Sequence, residues 1–362
     1  MPPLAMMIKP ASSACNMRCR YCFYADVASH RETASYGLMQ PETMHELIRR
    51  AFHYADRTIS FAFQGGEPTL AGLSFFQDFV RTVDQYNTRH LEIHYALQTN
   101  GTLLTAEFCR FLAEHHFLTG VSLDGSPALH DALRRNAEGQ GTHAEVLRGL
   151  RLLKKTGAEY NILCVVTQPV ALHARECWDS LKEHKYLQFI PCIDDFDRPL
   201  QDYSLTASAY GQFLIDTFGL YEAAFFSGHP VSERRFDNYL SLAMGMEPEA
   251  CGMRGGCGNY FLVESDGSVY PCDFYVLDAW RMGNVHQDSL MRMRKSGPAL
   301  HFAETARPLP SSCMKCSWLS ICRGGCRRDR EPLGENKYCE SYRMFFESCW
   351  PRVMSLARKV MH

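Results

Sequence analysis

Six short apolar runs, each followed by a longer amphipathic stretch, constrain the fold of this chain more than any other feature. LAMMIK (4–9), ISFAF (59–63), IHYAL (93–97), LTGVSL (118–123), YNILCVV (160–166) and LQFI (187–190) have the length and composition of strands. The stretches between them read as helices. PETMHELIRRAFHYA, from Pro41, opens with proline where a first helical turn tolerates it. TAEFCRFLAEHH, from Thr105, opens on a capping-type residue, and HAEVLRGLRLLKK, from His143, carries apolar residues at helical spacing. Parallel strands need crossovers of this kind, whereas antiparallel ones do not. The pattern therefore predicts a barrel-like α/β fold, a (β/α)6 barrel closed or partial.

Polar motifs recur at one place in that pattern. A cysteine-rich loop follows the first strand, QGGEP (64–68) the second, QTNG (98–101) the third, DGS (124–126) the fourth and PCIDD (191–195) the sixth. All fall at the C-terminal ends of strands, where α/β barrels gather their active sites. Beyond residue 250 helical alternation gives way to cysteines, glycines and a hairpin, YFLVESDGSVYPCDFY, with Asp266-Gly267 at its turn. A helical stretch follows from about Ser341. The expected domains are a barrel over 1–230, a cysteine-rich domain over 231–340 and a helical tail over 341–362.

Composition narrows the function classes. The chain has 38 basic and 40 acidic residues, which gives no support for a nucleic-acid or membrane-surface partner. No apolar run approaches the ~18 residues of a spanning helix. The opening MPPLAMMIKP lacks the charged and apolar regions of a secretory signal, so a cytoplasmic location is expected. In a reducing compartment, clustered cysteines point to metal ligation or catalysis rather than disulfides. Of sixteen cysteines, three lie near the start, eight between Cys251 and Cys339, and five are scattered.

The first group, Cys15, Cys19 and Cys22, has the spacing C-x3-C-x2-C. A structural zinc site needs a closed fourth position, and the nearest histidine, His30, carries no mark of a ligand. A four-iron cluster held by three thiolates leaves one iron open. With Tyr21 before the last cysteine and Phe23-Tyr24 after it, this loop resembles that of the radical S-adenosylmethionine (SAM) enzymes. The resemblance implies a cluster whose open iron chelates SAM, and a 5′-deoxyadenosyl radical that abstracts hydrogen. It implies that Gly65, Gly66 and Glu67 of GGEP meet the SAM amino group, glycines exposing backbone and Glu67 supplying charge. Tyr21, Ser122, Asp124, Arg134 and Ile193 are the further SAM contacts it implies.

The second group reads C251-x5-C257-x14-C272, then C313-x2-C316-x5-C322-x3-C326, then C339. It is similar to the SPASM domain, which carries two auxiliary four-iron clusters. The resemblance implies Cys251, Cys257, Cys272 and Cys326 for one and Cys313, Cys316, Cys322 and Cys339 for the other, making three [4Fe-4S] clusters in all.

Within these families the chain looks like the anaerobic sulfatase-maturating enzymes. SFAFQGGEPTLAGL, ALQTNG, YNILCVVT and ESDGSVYPCDFYVLD carry that likeness. It implies oxidation of a sulfatase Cys or Ser, within a C/S-x-P-x-R segment, to Cα-formylglycine. Asp273, next to Cys272, is then the proton acceptor, with Tyr24 and Gln64 holding the substrate peptide. A flavodoxin or ferredoxin would supply electrons, with Arg323, Arg327, Arg328 and Arg330 as a landing patch. The rival reading is a SPASM maturase that crosslinks a ribosomal peptide. Such enzymes carry a leader-binding domain ahead of the barrel, and the first strand here begins within a few residues of Met1. A non-enzymatic metal-scaffolded carrier is a third reading; it expects SAM binding to be indifferent to changes in GGEP.

Overall fold

The computed structural model describes residues 3–197, 199–258, 260–330 and 334–361. Its strands are β1 (Leu4–Ile8), β2 (Thr58–Phe63), β3 (Glu92–Thr99), β4 (Phe117–Ser122), β5 (Tyr160–Val166), β6 (Tyr186–Pro191), β7 (Ser232–Glu233), β8 (Phe261–Val263), β9 (Ser268–Tyr270) and β10 (Gly283–Asn284). The six barrel strands expected from the sequence are all present, within a residue or two at their ends. The chain forms two compact units. One comprises Met1–Ser122, Arg134–Tyr160 and Cys257–Thr305; the other comprises Leu123–Leu133, Asn161–Gly256 and Ala306–His362.

In the first unit β1 to β4 run parallel in sequence order, with Ile8 opposite Phe63 and Phe63 opposite Leu97. The alternation of TISFAF buries Ile59, Phe61 and Phe63 completely. Phe63 meets Phe76 and Phe79, of the helix Gly72–Tyr86, at 5.1 and 4.9 Å between ring centroids. Edge-on packing of this kind suits the opposed charges of ring edge and ring face. The helix Pro41–Tyr54 has proline in its first turn and turns Met44, Leu47, Ile48, Ala51 and Phe52 inward at helical spacing.

The hairpin expected near residue 266 is β8 and β9, paired antiparallel, with Gly267 at φ +84°. Its seat is on the sheet itself. β8 pairs in parallel with β1, placing Met6 opposite Phe261 and Ile8 opposite Val263. β1 thus has β2 on one side and the hairpin on the other.

In the second unit β5 and β6 are parallel, with Ile162 opposite Leu187, and β7 pairs in parallel with β6. The C-terminal helix Cys339–Val360 starts slightly before the expected position and packs on the helix Ala207–Phe226. Phe218 and Phe345 meet edge-on at 5.5 Å. Gly211 allows the approach, since a Cβ there would stand 3.1 Å from the Ser341 Cα.

Candidate active site

Cys15, Cys19 and Cys22 lie on the loop after β1 as partly exposed thiols outside any disulfide. The neighbouring loops grip this segment through its backbone. Glu67 N–H donates to the Ala14 carbonyl at 2.8 Å, and Arg18 N–H donates to the Arg135 carbonyl at 2.7 Å. The Asn16 side chain donates to Thr102 Oγ1 and accepts from Asn100, both at 2.9 Å. Gly66 sits at φ +54°, so close that a Cβ would fall 2.2 Å from the Ala14 carbonyl oxygen. The glycines of GGEP therefore do more than expose backbone: they let two loops touch.

Burial pushes the Cys15 thiol up to about 11, and the Glu67, Cys19 and Cys22 charges add to that. Thiolates there need a cation, and three thiols on one loop fit an iron–sulfur cluster with an open corner. Among the described residues no three His, Cys, Asp or Glu side chains gather at single-ion spacing; a four-iron cube holds its thiolates wider apart. His30 turns its Nδ1 to the Asp26 carbonyl at 2.8 Å.

Glu67 is buried at 1% exposure, and its carboxylate is largely spent on its own chain. Oε1 accepts from Thr69 N–H, Thr69 Oγ1 and Thr99 Oγ1 at 3.1, 2.6 and 2.7 Å, and Oε2 accepts from Asn100 N–H at 2.7 Å. Burial raises its pKa and these four donors oppose the rise. Its capacity toward a bound ammonium lies at Oε2. Arg134 donates to the Tyr21 hydroxyl at 2.8 Å, both buried in the first unit, and Ser122 ends β4 half-buried. In the second unit, buried Asp124 accepts from Val165 N–H at 2.9 Å, and Ile193 lies half-buried two residues past β6.

The later cysteines are likewise outside any disulfide. Cys257 and Cys272 belong to the first unit, and the other six to the second. Within the second, Gly252, next to Cys251, lies 3.6 Å from the Cys326 Cβ across its empty side-chain position. Burial raises the Cys339 thiol to about 11, with charges on Cys322, Cys313 and Cys316 contributing. Those four are thus neighbours. A cavity lined by Cys322, Cys326, Gly325, Arg235, Asp329 and Tyr342 stands beside them. Cys322 and Cys326, one from each expected set, bring thiols to the edge of that space.

Tyr24, Gln64 and Asp273, far apart in sequence, come together in the first unit. Gln64 donates to Asp273 Oδ2 at 3.1 Å and also bonds Tyr24. Tyr260 donates to Asp273 Oδ1 at 2.7 Å, and Cys272 Sγ lies 3.6 Å from the same oxygen. Burial raises the Asp273 pKa, while hydrogen bonds from Tyr260, Cys272 and Gln64 favour the ionised form. Tyr260 escaped sequence reasoning, although its place at the mouth of the hairpin was a signal. Also unforeseen is a buried group beneath it: Lys9 and Arg31 both reach Glu264 Oε2, at 3.1 and 2.7 Å.

The expected arginine patch does not exist as a surface. Arg327, Arg328 and Arg330 are at most 9% exposed. Arg328 donates to the Asp194 carbonyl and lies 3.9 Å over Phe196, while Arg330 donates to the carbonyls of Pro308 and Ala306. Arg323, the most accessible, pairs with Glu247 at 2.6 Å. Guanidinium groups that find carbonyls and carboxylates in their own fold are unavailable to a partner.

Comparison with known proteins agrees with this geometry. Residues 10–173 match the radical SAM superfamily model, and residues 251–317 match an iron–sulfur cluster-binding domain, SPASM. The cysteine-type anaerobic sulfatase-maturating enzyme of Clostridium perfringens is 42% identical, over 99% of this chain and all of that protein. The serine-type enzyme of Bacteroides thetaiotaomicron is 30% identical over 99% of this chain and 92% of its own. The structure of native anSMEcpe with bound AdoMet and Cp18Cys peptide superposes with a TM-score of 0.94, at 41% identity, over 99% of this chain and all of that one. Streptococcus suis SuiB bound to precursor peptide SuiA, at 17% identity and a TM-score of 0.64 over 93% of this chain and 74% of its own, shares the fold. With its radical SAM partial barrel, SPASM cysteines and full-length likeness, the chain belongs to the anaerobic sulfatase-maturating enzymes.

Proposed function

We propose that this chain oxidises a cysteine of a sulfatase C-x-P-x-R segment to Cα-formylglycine, with Asp273 as the proton acceptor. The preference for cysteine rests on the higher identity to cysteine-type relatives, 42% against 30% for a serine-type one. When bound, SAM and three [4Fe-4S] clusters supply a hydrogen-abstracting 5′-deoxyadenosyl radical and a sink for one electron. What the chain itself must do is present the substrate Cβ, take the thiol proton and keep water out until the carbon is oxidised.

Loss of a Cβ hydrogen, then of the S–H proton and one electron, turns the side chain into a thioaldehyde. Water replaces its sulfur to give the aldehyde, with hydrogen sulfide leaving. A serine would reach the aldehyde directly by the same hydrogen, proton and electron losses. The Asp273 carboxylate, held by Tyr260 and Gln64 beside Cys272, is the observation that carries this reading. A buried carboxylate whose pKa burial raises, against the hydrogen bonds of Tyr260, Cys272 and Gln64, accepts a proton more readily than a solvated one. Tyr24 and Gln64 hold the peptide at its edge. Residues 1–230 make the radical, 231–340 take the electron, and 341–362 brace the second unit. A low-potential flavodoxin or ferredoxin is the electron donor.

The test is anaerobic incubation with SAM, a reductant and peptides carrying C-x-P-x-R or S-x-P-x-R. Aldehyde formation on the cysteine peptide is expected. Formation on the serine peptide alone would overturn the target assignment, and formation on neither would overturn the reading.

A further inference from the structure

The buried charges under Asp273 have no part in the proton transfer just described. Lys9 directly follows β1 and is 1% exposed, a rare place for an ammonium unless it is paired. Its partner Glu264 already has Arg31, which reaches the same oxygen at 2.7 Å, and the other oxygen accepts from Ser265 N–H at 2.9 Å. Arg31 with Glu264 would be a neutral, hydrogen-bonded pair. Lys9 brings a second cation to that carboxylate; burial and the Arg31 charge lower its pKa, against the pull of Glu264 and of the Asp273 charge. A buried ammonium is destabilising unless it is compensated, and beyond Glu264 this one meets the Asp273 charge and the Tyr24 ring.

On that side Lys9 Nζ stands 5.5 Å from the centre of the Tyr24 ring. The Lys9 stem lies flat on Gly65, where a Cβ would fall 2.4 Å from Lys9 Cε. Lys9 N–H donates to the Val263 carbonyl at 2.9 Å, and Gln64 N–H donates to the Ile8 carbonyl at 2.9 Å. Lys9 thus meets the ring of Tyr24 and the turn behind Gln64 through its side chain, and the hairpin leading to Asp273 through its backbone and its bond to Glu264. Arg31 faces elsewhere, 5.0 Å over the Tyr36 ring.

We propose that Lys9 is a positioning residue for oxidation of the substrate side chain: its ammonium, anchored on Glu264, orients the Tyr24 ring, and its stem sets the Gly65 turn behind Gln64. This rests on the proposed function, in which Tyr24 and Gln64 hold the peptide. Lys9 touches no reacting atom; it acts through the residues that do.

The experiment compares Lys9→Met, Arg31→Met and Tyr24→Leu with the unmodified, cluster-loaded enzyme. It records melting temperature, iron content, peptide KM, and aldehyde formed per 5′-deoxyadenosine released. Lys9→Met keeps the stem and leaves Arg31–Glu264 as a neutral pair, so folding and iron content should hold. Aldehyde per 5′-deoxyadenosine should fall roughly tenfold, the scale of a lost desolvated cation–π contact. Arg31→Met takes one charge from the same oxygen without facing Tyr24, and should stay within about twofold. Coupling retained in Lys9→Met, or lost equally in Arg31→Met, overturns the proposal. Should Lys9→Met fail to fold, Tyr24→Leu decides: uncoupling supports the proposal and normal coupling overturns it. Absence of aldehyde from the unmodified enzyme would overturn the proposed function and this inference together; normal turnover with an unaffected Lys9→Met would overturn only the inference.

Discussion

Single atoms decide how the SAM-side loops assemble. Gly66 adopts φ +54° with its missing Cβ only 2.2 Å from a backbone oxygen that no side-chain rotation can move. Gly66→Ala must push the GGEP loop off the cysteine loop. We expect SAM binding and 5′-deoxyadenosine release to fall together by at least tenfold; spectroscopic SAM titration and product counting measure this. Glu67→Gln places an amide against donors now bonded to a carboxylate. One of its ends then faces an N–H or hydroxyl with no acceptor, a loss of about 1.5–3 kcal/mol where the bonds had been charge-assisted. A lowered melting temperature checks it, and an unchanged one would show that the four bonds add nothing. The cysteines, GGEP and Asp273 were legible as residues because their chemistry travels in short motifs. Lys9 and Glu264 were not, because a lone charge in MIKP or VES says nothing until the fold brings the other 255 positions away.

At the scale of elements, periodicity carried most of the fold. The alternation of TISFAF and the helical spacing of PETMHELIRRAFHYA specify their own faces. Asp-Gly between two apolar runs marks its own turn. What no local pattern carried is where the hairpin docks, since parallel pairing of β8 with β1 joins residues some 250 apart through backbone bonds alone. The arginines after Cys322 failed for a related reason: sequence shows charge, and only packing shows that three of them are buried and that Arg328 and Arg330 are spent on carbonyls. One element makes a further prediction. Glu233 caps the helix Arg234–Ala243, accepting from Arg235 and Phe236 N–H at 3.0 Å, while its other oxygen accepts from Phe189 N–H of β6 at 3.0 Å. Glu233→Ala leaves a buried Phe189 N–H without its acceptor as well as an uncapped helix, and should lower stability by about 1–3 kcal/mol in denaturant titration. Burial raises the Glu233 pKa from 4.5 to about 7, against its backbone donors and Arg235, with the Asp237 charge adding to the rise. The folded state therefore holds the proton more tightly than the unfolded one. The stabilisation is full below the unfolded value and is lost as pH rises through the folded one. Compared with Glu233→Gln, the natural protein should lose stability as pH climbs from about 4.5 to about 7; parallel pH profiles would contradict this.

At the scale of the whole molecule, the proposed function assigns radical generation and use of the radical to different residues, and variants should separate them. Replacing Cys15, Cys19 and Cys22 with alanine should abolish SAM cleavage altogether. Replacing Cys316 should leave the signal of the SAM-binding cluster and cleavage in place while lowering aldehyde yield; full yield would remove the electron-acceptor role from the second cysteine group. Asp273 stands where the two halves meet in chemistry. The most direct test is anaerobic turnover of a C-x-P-x-R peptide by Asp273→Asn, which keeps the shape and loses the base, with aldehyde and 5′-deoxyadenosine counted in one reaction. The account predicts that 5′-deoxyadenosine persists while aldehyde falls by roughly a hundredfold, the lower end of what general-base catalysis contributes. Equal loss of both products, or aldehyde at the natural rate, would contradict it.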